Sequence, residues 1–271
     1  MSQKMMKGAV YTAAALTIGI IGFMLIYILV MGIPHISPEL FSFTYTTENV
    51  SLFPAFINTI LITVVSLMVA IPIGVCSAIY LVEYARRGNR FVKIIRITAE
   101  TLSGIPSIVY GLFGMLFFVT TLKWGYSILA GAFTLAIMIL PLIMRTTEEA
   151  LQAVPDTFRE GSFGLGAGKL RTIFIIILPA AMPGILSGIV LAIGRIVGET
   201  AALIFTAGTV ADIPGKHGLF SSGRTLAVHM YALSSEGLYV NQAYATAVIL
   251  VVIVILMNGL SGLIAKKLTK S

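Results

Sequence analysis

Long apolar stretches constrain the fold of this chain more than any other feature. Six of them reach the length of about 20 residues that a helix needs to cross a hydrocarbon core. Uninterrupted runs of this length predict helices, because a helix pairs its own backbone N–H and C=O groups where lipid offers no partner. We therefore predict an all-α polytopic membrane protein, with residues 1–271 forming a single transmembrane domain of six helices. The predicted spans are 9–33, 54–83, 99–121, 126–145, 180–208 and 243–265.

The composition agrees with a chain surrounded by membrane lipid. Hydrophobic residues make up 58% of the sequence and charged residues 11%, against roughly 45–50% and 25% in soluble domains. The net charge of +7 is compatible with a nucleic-acid partner, but the cations flank apolar stretches instead of clustering on one polar face. We therefore expect no nucleic-acid partner, and interpret the positive charge as a signal of topology.

Lysine and arginine are unevenly shared between alternate loops. The two ends and the loops 84–98 and 146–179 are rich in cations, whereas loop 34–53 has none and 209–242 has two. Because cations accumulate in cytoplasmic loops, we predict that both termini are cytoplasmic, as an even number of spans requires. The cations on the predicted cytoplasmic side are Lys4, Lys7, Arg86, Arg87, Arg90, Lys93, Arg96, Arg159, Lys169, Arg171, Lys266, Lys267 and Lys270.

Two opposite charges, Arg195 and Glu199, lie within the fifth predicted span. A charge at the centre of a membrane helix costs roughly 2.5–3.5 kcal/mol, so both side chains are expected to face protein or water. Their separation of four residues places them on one face of a helix. Small residues on the same face would permit close approach of another helix or of a substrate. These residues are Gly184, Gly188, Ala192, Ala202 and Thr206.

The sequence leaves two interpretations of this pair open. In the first, Arg195 and Glu199 form a buried ion pair that fixes helix packing. In the second, Arg195 offers its planar set of N–H donors to the oxygens of a passing oxyanion. Glu199 would then orient the arginine, and Thr200 would add a hydroxyl group.

No pattern in the sequence predicts a metal or cofactor site. His35, His217 and His229 are scattered without the spacing of metal ligands. The stretch GLGAGKL at 164–170 lacks both the first glycine and the Ser or Thr that a phosphate-binding loop requires. We expect no metal, nucleotide or other cofactor bound by this chain, and no enzymatic activity of its own.

Loop 146–179 contains the most informative pattern. It reads EEALQAVPDTFREGSFGLGAGKLRTIFIIILPAAMPGI from Glu148 onward, with a helix start at Pro155-Asp156. Connections between two helices usually take about 2–8 residues, so the length of this loop indicates a further role. An amphipathic segment resting on the lipid surface is one interpretation. A contact site for a partner protein is the other.

The spacing of Glu160, Gly166, Ile176, Leu178 and Pro179 resembles the EAA---G---------I-LP signature of the membrane subunits of ABC importers. In those subunits the loop forms a short coupling helix that docks in a groove of the ATPase. The two alanines of the signature are glycine and serine here, which are still small but form helices less readily. The resemblance implies an ATPase contact by Glu160, Gly161, Ser162, Gly166 and Ala167.

Further stretches narrow the resemblance to the permeases of bacterial phosphate importers. They are AIYLVEYA at 78–85, SGIPSIVYGLFG at 103–114 and GRIVGETAALIFTA at 194–207. RTLAVHMYAL at 224–233 favours the PstA type over the PstC type. The resemblance runs from about residue 54 to the C-terminus. It implies the permease fold of type I ABC importers, in the bacterial cytoplasmic membrane.

The resemblance also implies a substrate and partners. They are inorganic phosphate, a homologous PstC-type permease, two ATPase subunits that hold ATP and Mg²⁺, and a periplasmic phosphate-binding protein. Arg145, at the end of the fourth span, matches a second arginine of the phosphate path; the alternative is an anchor at the membrane interface. An importer of molybdate or sulfate, or less simply an ion-coupled secondary transporter, remains an alternative for the whole chain.

Overall fold

The computed structural model describes residues 3–86, 88–215 and 217–269, and in these ranges it is helical without a strand. Arg87, Lys216 and Lys270, which the topology prediction counts, lie outside the described residues. The helices are α1 (Gln3–Gly32), α2 (Phe53–Ile79), α3 (Arg90–Ser103), α4 (Ser107–Gly114), α5 (Ile128–Gln152), α6 (Asp156–Gly164), α7 (Lys169–Thr172), α8 (Leu178–Val197), α9 (Ala201–Ile204), α10 (Leu226–Glu236) and α11 (Val240–Thr269).

Wider π-helical turns extend several of these helices. Tyr80–Tyr84 continues α2, Met115–Thr121 continues α4, and Ile173–Ile177 joins α7 to α8. Short 3-10 turns lie in the connections. They are Ile33–His35, Pro38–Phe41 and Gly218–Phe220.

Five helices of the described chain are long and apolar enough to cross a membrane. A bent pair, Arg90–Ser103 with Ser107–Thr121, supplies a sixth if it is counted as one span. The number therefore agrees with the prediction, while several bounds differ. The five helices are Met6–His35, Phe53–Tyr84, Ile128–Gln152, Lys169–Val197 and Val240–Met257.

The third predicted span, 99–121, is not one straight helix. Its first residues belong to α3, which is bent by 100° relative to the following segment. The break falls at Gly104-Ile105-Pro106, because the proline ring disfavours helical backbone at the preceding residue and Pro106 has no N–H to donate. α3 itself is amphipathic, with a cation at every third residue from Arg90 to Arg96 and exposed apolar side chains between them.

The fifth predicted span, 180–208, is also interrupted. α8 ends at Val197, and Gly198, Glu199 and Thr200 separate it from the short helix α9. The helix instead extends in the other direction, because Lys169–Val197 is continuous through the π-helical turn. α5 likewise continues to Gln152. The predicted loop 146–179 is thus reduced to residues 153–168, which contain α6.

α5 is the centre of the bundle. It packs against α2 on one side and α8 on the other, and Ile128, Leu135, Ile139 and Ile143 are fully buried along it. α1 contacts α11 at the edge of the bundle and is otherwise exposed. A helix exposed along its apolar length is expected where lipid or another subunit covers it.

The small residues predicted to face inward on α8 do pack against another helix. A Cβ atom added at Gly184 would lie 2.7 Å from the Cβ atom of Ala150 on α5. One added at Gly188 would overlap the side chain of Thr146, one turn further along α5. Side chains at these glycines would therefore force α5 and α8 apart.

Contacts at the two ends of the bundle join loops and helix ends that the cation count assigns to the same side. At one end, Asn58 Nδ2 donates to the Asp212 carbonyl at 2.9 Å, and Tyr239 Oη donates to the Thr47 carbonyl at 3.0 Å. At the other end, Arg159 of α6 binds Glu83 after α2. Which end is cytoplasmic stays a prediction.

Candidate functional site

Arg145 and Arg195 line one open cavity of about 610 Å³. Arg145 comes from α5 and Arg195 from the last turn of α8, and α3 closes the third side with Glu100 and Ser103. The sequence placed the two arginines in different spans, and the packing of α8 on α5 brings them to the same space. Two guanidinium groups beside one cavity are chemically suited to an oxyanion.

Arg145 is held by an ion pair on its own helix. Its Nε donates to Glu149 Oε1 at 3.0 Å, and the two side chains are 60% and 64% exposed. A pair this exposed contributes little to stability, because water competes for both partners. The arginine is therefore positioned by Glu149 but remains open to exchange of its carboxylate for another anion.

Glu199 does not pair with Arg195 in the described structure. Its Oε1 instead accepts a hydrogen bond of 3.1 Å from the backbone N–H of Ala202, at the start of α9. The four-residue spacing would bring the two charges together only if the helix continued, and α8 ends at Val197. The interpretation as a buried Arg195–Glu199 ion pair is therefore wrong for this conformation. Nor is Glu199 hydrogen-bonded to the arginine as an orienting group.

Thr200 lies at the N-cap position of α9 but makes no side-chain capping bond. Its backbone carbonyl accepts from Ile204 N–H at 3.1 Å. Thr200 is absent from the lining of the cavity that holds Arg145 and Arg195. Its contact with a passing anion stays a prediction.

The segment with the predicted ATPase contact forms a defined short helix. α6 begins at Asp156 after Pro155, as the sequence predicts. At its end, Gly166 N–H donates to the Phe163 carbonyl and Ala167 N–H to the Ser162 carbonyl, at 2.9 and 3.1 Å. With a φ angle of +81° at Gly166, these bonds make a Schellman cap. The glycine is needed for the backbone of this chain itself, whatever its contact with a partner.

Arg159, for which the sequence predicts only a topological role, anchors α6 to the bundle. Its guanidinium donates to Glu83 Oε1 at 2.7 Å and to the carbonyls of Leu151 and Val154 at 3.0 and 2.9 Å. Ser162, on the same side of α6, shares a hydrogen bond of 2.8 Å with Thr172 Oγ1. These contacts fix α6 against α2, α5 and α7.

The opposite side of α6 is exposed. Glu160 and Gly161 lie on it, and a Cβ atom added at Gly161 would meet nothing within 4 Å. Phe158 and Phe163 are about half exposed, and Leu165, the C-cap residue, is 92% exposed. A short rigid helix that displays apolar groups in this way is suited to insertion into a partner's groove.

A second ion pair joins the arginine cavity to a neighbouring one. Arg96 of α3 binds Glu148 Oε1 of α5, and both residues line the 610 Å³ cavity. Arg96 also lines a cavity of about 790 Å³ between α3, α6 and the end of α2. The sequence predicts only a topological role for Arg96. The signal that was available is the three-residue repeat of cations, which predicts one charged face on a helix at 90–97.

The stretch RTLAVHMYAL lies at the other end of the bundle and buries two basic residues. Arg224 is 6% exposed, stacks over the Tyr45 ring at 4.8 Å, and leaves Nε and Nη2 without partners. His229 is fully buried beside it. Burial and the Arg224 charge lower the pKa of His229 to about 3, and the nearby Val50 backbone offsets only part of that shift. Neither ring nitrogen makes a hydrogen bond of ordinary geometry.

Comparison with known proteins identifies the family. Residues 70–270 match the family model described as "Binding-protein-dependent transport system inner membrane component". The probable ABC transporter permease protein YqgI of Bacillus subtilis is 32% identical over 99% of this chain and 98% of its own length. The phosphate transport system permease protein PstA of Haemophilus influenzae is 33% identical, over 94% and 90%. That of Pasteurella multocida is 36% identical, over 84% and 81%.

Solved structures support the fold. A chain of a bacterial alginate ABC transporter, determined with an alginate-bound periplasmic protein, superposes with a TM-score of 0.69 at 16% identity, covering 99% of this chain and 98% of that one. A chain of the inward-facing MetNI methionine ABC transporter superposes with a TM-score of 0.62 at 17% identity, covering 80% and 94%. At identities this low, the superpositions show the fold alone and give no information about the substrate.

The family match overturns the hypothesis of an ion-coupled secondary transporter. The helical bundle, the exposed α6 and the sequence similarity agree on a multi-pass transport subunit with the permease fold of type I ABC importers. The chain therefore belongs to the family of binding-protein-dependent transport system inner membrane components, and its relatives include the PstA-type permeases of phosphate transport systems.

Proposed function

We propose that this chain is the PstA-type permease of an ATP-driven importer of inorganic phosphate. One observation carries the proposal: Arg145 and Arg195 line the same 610 Å³ cavity. The names of the relatives from Haemophilus influenzae and Pasteurella multocida point to the same substrate. Arg195 serves as the principal phosphate contact and Arg145 as the next one. A weakly held anion suits transport, since a substrate must also leave.

The partners follow from the proposal. A homologous PstC-type permease completes the pathway, and two separate ATPase subunits bind ATP and Mg²⁺. A periplasmic binding protein delivers phosphate to the end of the bundle that carries α10. The exposed side of α6, with Glu160 and Gly161, docks on an ATPase. This places the chain in the bacterial cytoplasmic membrane with both termini and α6 in the cytoplasm.

Reconstitution tests the proposal. The chain, its permease partner, the ATPase and the binding protein are placed in proteoliposomes, and uptake of labelled phosphate is measured with and without ATP. We expect uptake that needs ATP and the binding protein. Molybdate and sulfate are added in excess as competitors and should leave phosphate uptake unchanged. Stronger uptake of molybdate or sulfate than of phosphate would contradict phosphate as the substrate and identify that oxyanion instead.

Topology is tested separately. Reporter fusions at Gly88, Gly166 and the C-terminus should report a cytoplasmic location, and fusions at Glu48 and Gly218 an external one. An inverted result at Gly218 would contradict the assignment of α6 to the ATPase side.

A further inference from the structure

The two cavities beside α3 are continuous in their lining. The 610 Å³ cavity that holds Arg145 and Arg195 shares Arg96, Glu100 and Gln152 with the 790 Å³ cavity. An anion that leaves Arg145 therefore meets Arg96 before it reaches the larger cavity. On the basis of the function proposed above, we propose that Arg96 and Glu148 form the release site for phosphate at this junction.

The larger cavity is suited to receive an anion from the junction. Arg86, Arg90 and Lys93 line it and make no ion pair with the residues that the structure describes. Of its acidic groups, Glu83 and Asp156 are occupied by Arg159. Glu100 makes no ion pair with the described residues, so three free cations face one free carboxylate. The free charge of the cavity is thus positive, and such a field draws an anion forward from Arg96.

Glu148 and Arg96 differ in their access to water. The Glu148 side chain is 11% exposed, whereas that of Arg96 is 46% exposed. Glu148 also accepts a hydrogen bond of 3.0 Å from Gln152 Nε2, so it keeps a partner when the arginine moves. Arg96 is the member of the pair that can exchange its carboxylate for a phosphate oxygen without leaving a buried group unpaired.

The Glu148 carboxylate weakens the binding of phosphate to Arg96. A phosphate on Arg96 competes with Glu148 for the same guanidinium and is repelled by its negative charge. Glu148 returns to the arginine when the anion departs. The next residue of α5, Glu149, holds Arg145 in a similar way. Glu148 thereby favours release into the larger cavity and opposes binding of phosphate from the cytoplasmic side.

Inhibition by product separates this role from a structural one. Proteoliposomes of the complete complex are sealed with ATP and graded concentrations of unlabelled phosphate, and the initial uptake of labelled phosphate is measured. The readout is the internal phosphate concentration that halves uptake. Glu148→Gln keeps the acceptor for Gln152 and removes the competing charge. We expect it to lower this concentration roughly threefold, the scale of one partly exposed charge pair.

Substitutions at the arginine shift the readout in the opposite sense. Arg96→Gln should raise the half-inhibiting concentration, and Arg96→Lys should bring it back toward the parental value because the charge returns. Arg171→Gln is the matched control, since Arg171 is an exposed cation at the same end of the bundle and lines neither cavity. It should leave the value unchanged.

An unchanged half-inhibiting concentration in Glu148→Gln, with parental uptake rates, would overturn the release site and leave the phosphate importer intact. Glu148→Gln and Arg96→Gln could instead both lower the amount of assembled complex, while the complex that does assemble keeps the parental half-inhibiting concentration. That result would show that the pair is only a structural bridge. If the parental complex takes up no phosphate at all, the proposed function itself fails. The two failures are thus distinguishable.

Discussion

Arg159 binds Glu83 through two nitrogens, with Nε 3.1 Å and Nη2 2.7 Å from the same Oε1 atom. The side chains are 15% and 7% exposed, so the pair is largely withdrawn from water. Arg159 belongs to α6 and Glu83 to the turn that ends the second span. The pair therefore joins α6 directly to a helix that is long and apolar enough to cross the membrane.

Arg159→Leu should destabilise the chain by about 2–4 kcal/mol, because it leaves a buried carboxylate and two carbonyls without their donor. The double change with Glu83→Leu should recover part of this loss, since the orphan charge is gone but the carbonyls of Leu151 and Val154 remain. Thermal denaturation of the purified chain in detergent measures both variants. A parental denaturation temperature for Arg159→Leu would refute the anchor.

Gly161 in α6 and Gly166 just after it are expected to have different roles, the first in partner contact and the second in the backbone of this chain. Gly166 has a φ of +81°, so Gly166→Val should cost about 1–2 kcal/mol in the isolated chain. Gly161 is helical and faces open space, so Gly161→Leu should leave the isolated chain at least as stable. If α6 docks in an ATPase groove, however, Gly161→Leu should uncouple ATP hydrolysis from uptake.

The Gly161 and Gly166 variants are compared for the stability of the isolated chain and for the coupling of ATP hydrolysis to phosphate uptake. Denaturation in detergent gives the first quantity, and the ratio of phosphate taken up to ATP hydrolysed gives the second. Gly166→Asn is the control for backbone strain, because asparagine tolerates the left-handed region better than valine. Full coupling in Gly161→Leu would contradict docking through this side of α6.

Arg195 and Glu199 make no ion pair in the described structure, and this decides the outcome expected from substitutions at the two residues. Arg195→Lys keeps the charge but loses the planar set of donors, so uptake should fall while the amount of assembled complex barely changes. Neutralising both residues with leucine should not restore transport, because Glu199 caps α9 through Ala202 N–H and does not neutralise Arg195. Glu199→Gln, which keeps an acceptor for that bond, should be milder than Glu199→Leu.

Uptake and assembly must be measured side by side for these variants. Restoration of the parental rate by the double leucine variant would revive the ion-pair interpretation and remove Arg195 from the phosphate path. Arg171→Gln again serves as the charge control, as an exposed cation away from both cavities.

Hydropathy located the membrane-spanning segments but not their breaks. Gly104-Ile105-Pro106 and Gly198-Glu199-Thr200 lie in apolar surroundings, and an average over about 20 residues does not register a bend of 100°. Pro106 was a usable signal, because the residue before a proline avoids helical backbone. The end of α8 at Gly198 had a weaker signal, since glycine is tolerated inside membrane helices.

The sequence predicts which residues belong to the candidate site better than it predicts which of them lie together. Arg145 and Arg195 stand out because a charge in an apolar span is costly. Their common cavity depends on how α5 packs against α8, which local sequence does not specify. The ion pair of Arg96 with Glu148 could not be predicted for a similar reason. Their contact joins two helices that are distant in the chain, and each residue alone resembles an ordinary interfacial charge.

The buried His229 makes the stability of the folded chain depend on pH in the acid range. His229 has a pKa of about 3 in the folded chain and an ordinary value of 6.5 when unfolded. The neutral ring therefore contributes its full stability above pH 6.5, and this contribution is lost as the pH falls toward 3. The slope is at most about 1.4 kcal/mol per pH unit, because one proton is taken up on unfolding.

Removing the titrating group should flatten this dependence. His229→Phe keeps a ring for the edge-to-face contact with Tyr45 and deletes the two nitrogens that lack hydrogen bonds. Between pH 6.5 and 5, it should lose less thermal stability than the parental chain, whereas His217→Gln, at an exposed position, should follow the parental curve. Parallel curves for His229→Phe and the parental chain would show that His229 is already protonated or accessible to water at neutral pH.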